Sequence, residues 1–108
     1  MQDRKEIDPK LVRGLITRSL HRSNIRKKIA KYLFDISPNS TYTSDIAYHT
    51  HTALISVTGA IHGLDSRYRK NESLISLNIV EQINSNDMKL YRITDFGKEI
   101  LESMKEKR

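Results

Sequence analysis

Cysteine is absent from the 108 residues, so neither a disulfide nor a thiolate metal site stands behind the fold. Long apolar runs are absent too. No stretch approaches the roughly 20 residues that span a bilayer, and the opening Met1-Gln-Asp-Arg-Lys-Glu6 lacks the apolar segment of a secretion signal. The expectation is a soluble, cytoplasmic protein. The short motifs of catalysis are also missing: there is no Gly-rich phosphate loop, no nucleophile elbow, no HExxH and no close pair of acids in an apolar setting. His49 and His51 lie on an expected turn, while His21 and His62 are scattered, and no carboxylate cluster joins them. These absences predict a protein that is not an enzyme and needs no metal or cofactor.

What is present is positive charge, unevenly placed. The formal net charge is +6. Between Pro9 and Phe34 the basic residues are Lys10, Arg13, Arg18, Arg22, Arg26, Lys27, Lys28 and Lys31, with no acidic residue among them. Arg67, Arg69 and Lys70 form a second basic group, and from Asn71 onward the two signs nearly balance. Charge concentrated in this way favours a polyanion, through phosphate contacts and counterion release. The plain alternative is a solvated basic face. A basic amphipathic helix on an anionic membrane is disfavoured, because the apolar faces are needed for a core.

The length fits one domain, 1–108, with a modest core that association would help. Asp8-Pro9 starts a helix of about 9–20, within an N-terminal basic segment at 8–22. Its Leu11, Leu15, Ile16, Ser19 and Leu20 recur at helical spacing. Ser23 or Asn24 caps a second helix whose buried face is Ile25, Ile29, Tyr32, Leu33 and Ile36. Pro38 ends it. Thr43 or Ser44 caps a short third helix, His49-Thr50-His51 reads as a turn, and Thr52 caps a fourth helix reaching about Ser66. A short helix is expected over 72–78. Two strands, 79–83 and 88–94, then face each other across the tip Asn84-Ser85-Asn86-Asp87. Thr94 caps a last helix over 95–105. Two short helices, a hairpin and a closing helix make the element order of a winged helix-turn-helix: mainly α with a small β-hairpin, its core at 23–94, and an extra N-terminal helix.

Projected at 100° per residue, the fourth helix turns Ala53, Leu54, Val57, Ala60, Ile61 and Leu64 to one side. Thr52, Ile55, Gly59, His62, Gly63 and Ser66 fall on the other. Long charged residues are missing from that outer face, so it can approach a groove floor closely. Thr52, Ser56 and Thr58 can bond phosphates or base edges, His62 a purine acceptor or a phosphate, and Ile55 a thymine methyl. Gly59 carries a helix penalty of about 1 kcal/mol against Ala. Its absent Cβ serves either the DNA or a neighbouring helix. Arg67, Arg69 and Lys70 can clamp a phosphate beside the groove or form a solvated loop, and Tyr68 between them can pack on the core, the favoured reading, or stack on a sugar. Asn84, Ser85, Asn86 and Lys89 suit a supporting wing, although the same residues also suit a turn for backbone reasons alone.

The stretch Val57-Thr-Gly-Ala-Ile-His-Gly-Leu64, then Arg67-Tyr68 and Ser73-Leu-Ile-Ser-Leu-Asn-Ile-Val-Glu81, resembles small archaeal winged-helix transcriptional regulators. Tyr91-Arg-Ile-Thr94 with Gly97 is similar to the Y-x-[IL]-T-x-x-G close of many winged-helix repressors. The resemblance covers about residues 23–104. It departs at Asn78, where many relatives have Gly, and in the added helix at 9–20. It implies sequence-specific binding of double-stranded DNA as a homodimer, with Thr52, Ile55, Ser56, Gly59 and His62 on the recognition helix. The apolar faces of 9–20 and 95–105 are the candidate dimer surfaces. A protein–protein adaptor on the same fold and an RNA-binding module are the alternatives. Few aromatics are available to stack on single-stranded bases.

Overall fold

A computed structural model describes residues 9–64 and 70–106. Helices α1 (Pro9–Arg22), α2 (Asn24–Ile36), α3 (Thr43–Thr50) and α4 (Leu54–His62) come first. The antiparallel strands β1 (Val80–Ser85) and β2 (Met88–Ile93) follow, and α5 (Asp95–Glu106) closes the chain. This is a mainly helical winged helix-turn-helix fold with a two-stranded wing. Among the described residues no helix is long and apolar enough to cross a membrane.

The caps explain most boundaries. Ser23 is extended and its hydroxyl accepts from Arg26 N at 3.2 Å, starting α2. The α2 stripe Ile29, Ala30 and Leu33 is buried, and it meets Ile16 and Leu20 of α1, Ile46 of α3, Val57, Ala60 and Ile61 of α4, and Ile100 and Leu101 of α5 in one cluster. Two starts differ from expectation. Tyr42, not Thr43 or Ser44, holds the cap position of α3, and Ala53, not Thr52, holds that of α4; neither makes a side-chain cap bond. The Thr52 hydroxyl donates to Thr50 O instead. His49 and Thr50 belong to α3, and the turn is made by His51, whose φ of 55° is left-handed.

The fourth helix is also shorter than 52–66. Gly63 ends it with a φ of 87°, a conformation that Gly enters without a Cβ penalty. The carbonyls of Ala60 and Ile61, left without a partner in the helix, are then taken by the amides of Leu74 and Ile75, at 2.9 and 3.2 Å. That pairing replaces the helix expected at 72–78: a single 3-10 turn at Lys70–Glu72 leads into hydrogen-bonded turns. Asn78 adopts a φ of 63°, a left-handed conformation that Gly would enter without a Cβ penalty.

The wing register pairs Val80 with Ile93 and Ser85 with Met88. Asn84 and Ser85 are therefore strand residues rather than part of the tip. The tip is Asn86-Asp87 alone, both at positive φ (49° and 65°), as a two-residue hairpin requires. A third strand is reduced to one bridge, in which Thr41 and Tyr91 exchange both backbone hydrogen bonds, at 2.9 and 2.8 Å.

The closing motif has a mechanical explanation. Tyr91 and Ile93 are buried in the core. The Thr94 hydroxyl donates to Asn78 O at 2.6 Å and accepts from Gly97 N at 2.8 Å, capping α5. The Thr94 amide donates to Ile79 O at 2.9 Å. This draws α5 onto the start of the wing so closely that a Cβ on Gly97 would lie 2.5 Å from Ile79 O and 2.8 Å from Ile93 Cγ1. Gly14, in the middle of α1, has nothing within 4 Å of its Cβ position. The two glycines should answer oppositely to alanine. Gly97→Ala is expected to destabilise by about 1–3 kcal/mol through overpacking, and Gly14→Ala to stabilise by about 1 kcal/mol through helix propensity. Thermal unfolding of the two variants checks the sign of each.

Candidate nucleic-acid interface

Helix α3, the three-residue turn His51–Ala53 and α4 form the helix-turn-helix, anchored from beneath by Asp45. The Tyr32 and Thr41 hydroxyls both donate to Asp45 Oδ2, each at 2.7 Å, and His49 Nδ1 lies 3.0 Å from Oδ1. The His49 ring stacks on Tyr32 with centroids 4.9 Å apart and planes 12° from parallel. Tyr32 belongs to α2, Thr41 to the following loop, and Asp45 and His49 to α3, so one carboxylate ties three segments together. The hydroxyl bonds from Tyr32 and then Thr41 hold the Asp45 carboxyl below its usual range. Burial, and then the same carboxylate, push the Tyr32 phenol up to about 12. In the sequence the network shows only as two four-residue spacings, Thr41 to Asp45 and Asp45 to His49.

Helix α4 packs on the core through Val57, Gly59, Ala60 and Ile61. Two residues expected on its outer face therefore point elsewhere. Gly59 is buried within the protein. His62 is partly buried against the wing, its Nε2 2.8 Å from the Tyr91 hydroxyl and its ring edge-on to the tyrosine at 5.5 Å. Burial, and then Lys89, hold the imidazole below its usual range. The direction of this hydrogen bond follows the imidazole tautomer. The residues that do remain outside sit in the first turn: Leu54 is 51% exposed and Ile55 69% exposed. Ile55 was expected there. Leu54 falls on the opposite side of the projection, as do Ala53 and Leu64, yet all three are exposed. A helix this short buries only a narrow stripe, and its first turn extends past the edge of the core.

Of the remaining site residues, Thr52, Ser56 and Thr58 are half-buried, and the Thr58 hydroxyl donates back to Leu54 O. Asn84, Ser85, Asn86 and Lys89 are exposed on the wing. Arg67, Tyr68 and Arg69 lie outside the described residues, as does the side chain of Lys70. The helix-borne charges are less free than expected. Arg26 is only 5% exposed and reaches Glu72 Oε1 at 3.7 Å, while Arg22 donates to Glu72 Oε2 at 2.8 Å. Arg13 pairs with Glu99 at 2.9 Å. Arg18 and Lys31 stay exposed.

Residues 16–104 match the family model described as EarA-like. The chain belongs to the EarA-like family. The EarA-like chain is also 37% identical over 100 residues to the uncharacterized protein MJ0905 of Methanocaldococcus jannaschii, covering 93% of this chain and 86% of the relative. In fold it is similar to a solution structure from Mycobacterium bovis, with a TM-score of 0.64 at 15% identity, over 97% of this chain and 87% of that one. That structure is described as the homodimeric winged helix-turn-helix DNA-binding domain of Mb0332, a possible ArsR-family transcriptional regulator. At this identity the likeness concerns the fold alone.

The His62–Tyr91 contact has a pH dependence. A histidine whose folded pKa lies below its unfolded value contributes stability above about pH 6.5 and loses it as pH falls through the folded value, because the unfolded chain then binds the extra proton. Unfolding free energy should therefore decline as the solution is acidified from neutral. His62→Gln should flatten that decline, as read by denaturant titration across the acid range.

Proposed function

We propose that this EarA-like protein is a transcriptional regulator that binds specific sites on duplex DNA. Helix α4 enters the major groove and the wing rests on the adjacent backbone. One observation carries the reading: the first turn of the second helix in a helix-turn-helix stands clear of the core, in a fold that also carries a wing with an exposed polar tip. The basic composition supports it, since phosphate neutralisation supplies most of the sequence-independent attraction. The description of the M. bovis neighbour as a DNA-binding domain supports it at the level of the fold.

The active form is a homodimer joined through α1. Expectation placed the dimer surface on α1, α5 or both. Helix α5 spends its apolar side chains on the core, with Ile100 and Leu101 buried and Phe96 and Met104 packed against them. Helix α1 buries Ile16 and Leu20 but leaves Leu11 and Leu15, an i,i+4 pair, 59% and 52% exposed. Sedimentation should show a dimer that Leu11→Glu with Leu15→Glu converts to a folded monomer. A monomeric wild type at high concentration would remove this part of the reading.

An adaptor that uses the fold to bind protein is the second reading, favoured by the apolar first turn of α4. Salt separates the two. A protein making about six phosphate contacts loses roughly a thousandfold in affinity between about 50 and 200 mM salt, whereas an adaptor binds no duplex at either. Within the DNA reading, neutralising Arg69 and Lys70 should weaken all duplexes alike and reduce the salt slope by about one per charge removed. Mobility shift against selected and unrelated duplexes measures both effects.

A further inference from the structure

Helix α4, from Leu54 to His62, contains no Arg, Lys, Asn, Gln, Asp or Glu. These are the side chains that make bidentate contacts to guanine and adenine or accept from cytosine. Its polar groups are largely committed inside the protein. The Thr58 hydroxyl donates to Leu54 O, and His62 is paired with Tyr91. Just before the helix, the Thr52 hydroxyl donates to Thr50 O. The two threonine hydroxyls keep lone pairs that can accept, and Ser56 is half-buried, so the helix offers single hydrogen bonds and no bidentate one. What the helix presents outward is aliphatic: Leu54 and Ile55, adjacent in sequence and both more than half exposed.

The geometry points to an apolar readout, in which Leu54 and Ile55 recognise the 5-methyl groups of thymine on the floor of the major groove. The inference rests on the reading of α4 as the helix that enters the groove, and it names what that helix reads. In B-DNA the thymine methyl is the one apolar feature of the major-groove edge, and it distinguishes A·T from T·A by position. A protein partner is the weaker occupant. Two aliphatic side chains fall far short of the roughly 800 Å² that each side of a stable protein interface buries. They are well matched to one or two methyl groups. The operators of this protein therefore carry thymines at fixed positions opposite the first turn of α4, with base hydrogen bonding secondary.

Replacing thymine by deoxyuridine tests this without altering the protein, because it removes the methyl and leaves the Watson–Crick edge intact. Duplexes enriched from a random library by the wild-type chain would be resynthesised with deoxyuridine at each thymine in turn. Affinity is expected to fall about fourfold for each contacted methyl, the value of one buried carbon in transfer from water. Ile55→Ala or Leu54→Ala should lose sensitivity to one of those substitutions while keeping the wild-type circular dichroism. If deoxyuridine duplexes bind as tightly as thymine duplexes and sequence preference persists, the apolar readout is overturned and DNA binding stands. If no duplex binds even at low salt, the inference falls together with the reading beneath it.

Discussion

The arrangement of wing, loop and helix-turn-helix depends on Tyr91. Its backbone exchanges two hydrogen bonds with Thr41, fixing the hairpin against the loop before α3. Its ring is buried, and its hydroxyl meets His62 at the end of α4. Without this residue a partly buried imidazole would have no partner. That costs about 1–3 kcal/mol, in a domain whose whole stability is on the order of 5–15 kcal/mol. The wing is only two strands wide, and such a hairpin is marginal by itself. It is held in register by what it packs against, through Tyr91 at one edge and the Thr94–Gly97 close at its base.

The legible parts of the fold were those with local causes. Ser23 and Thr94 could be identified as caps because each places a hydroxyl where an amide at the third helical position needs it. The hairpin could be identified because alternation and a polar tip share one period. The misassigned parts have tertiary causes. Gly59 and His62 lie on the outer half of an ideal helical projection, yet the protein surrounds α4 on more than one side: the wing covers His62 and internal packing covers Gly59. Leu54 sits on the inner half, yet the core stops short of the first turn. A projection knows the axis of a helix but not how far its surroundings extend. The Asp45 network has a related cause: Tyr32 is thirteen residues from Asp45, and Thr41, though only four away, lies in the loop before α3, so no one helical period links the three.

Charge counting overstated the free positive surface. Glu72 takes up two arginines, one of them almost fully buried, and so links the basic helices to the segment that follows the helix-turn-helix. A buried guanidinium without its carboxylate would be strongly unfavourable. Arg22 and Arg26 therefore belong to the scaffold, and the remaining attraction for a polyanion comes from fewer residues than the sequence contains.

The separation between scaffold and first turn of α4 has an evolutionary consequence. Leu54 and Ile55 lie outside the buried core and are more than half exposed, so exchanging them disturbs the fold by about the few tenths of a kcal/mol typical of surface positions. The buried half of the same helix has no such freedom. On the proposed reading of α4, a lineage carrying this domain can vary those two positions across duplicated copies, and each copy can diverge in what it recognises without first acquiring a compensating change elsewhere.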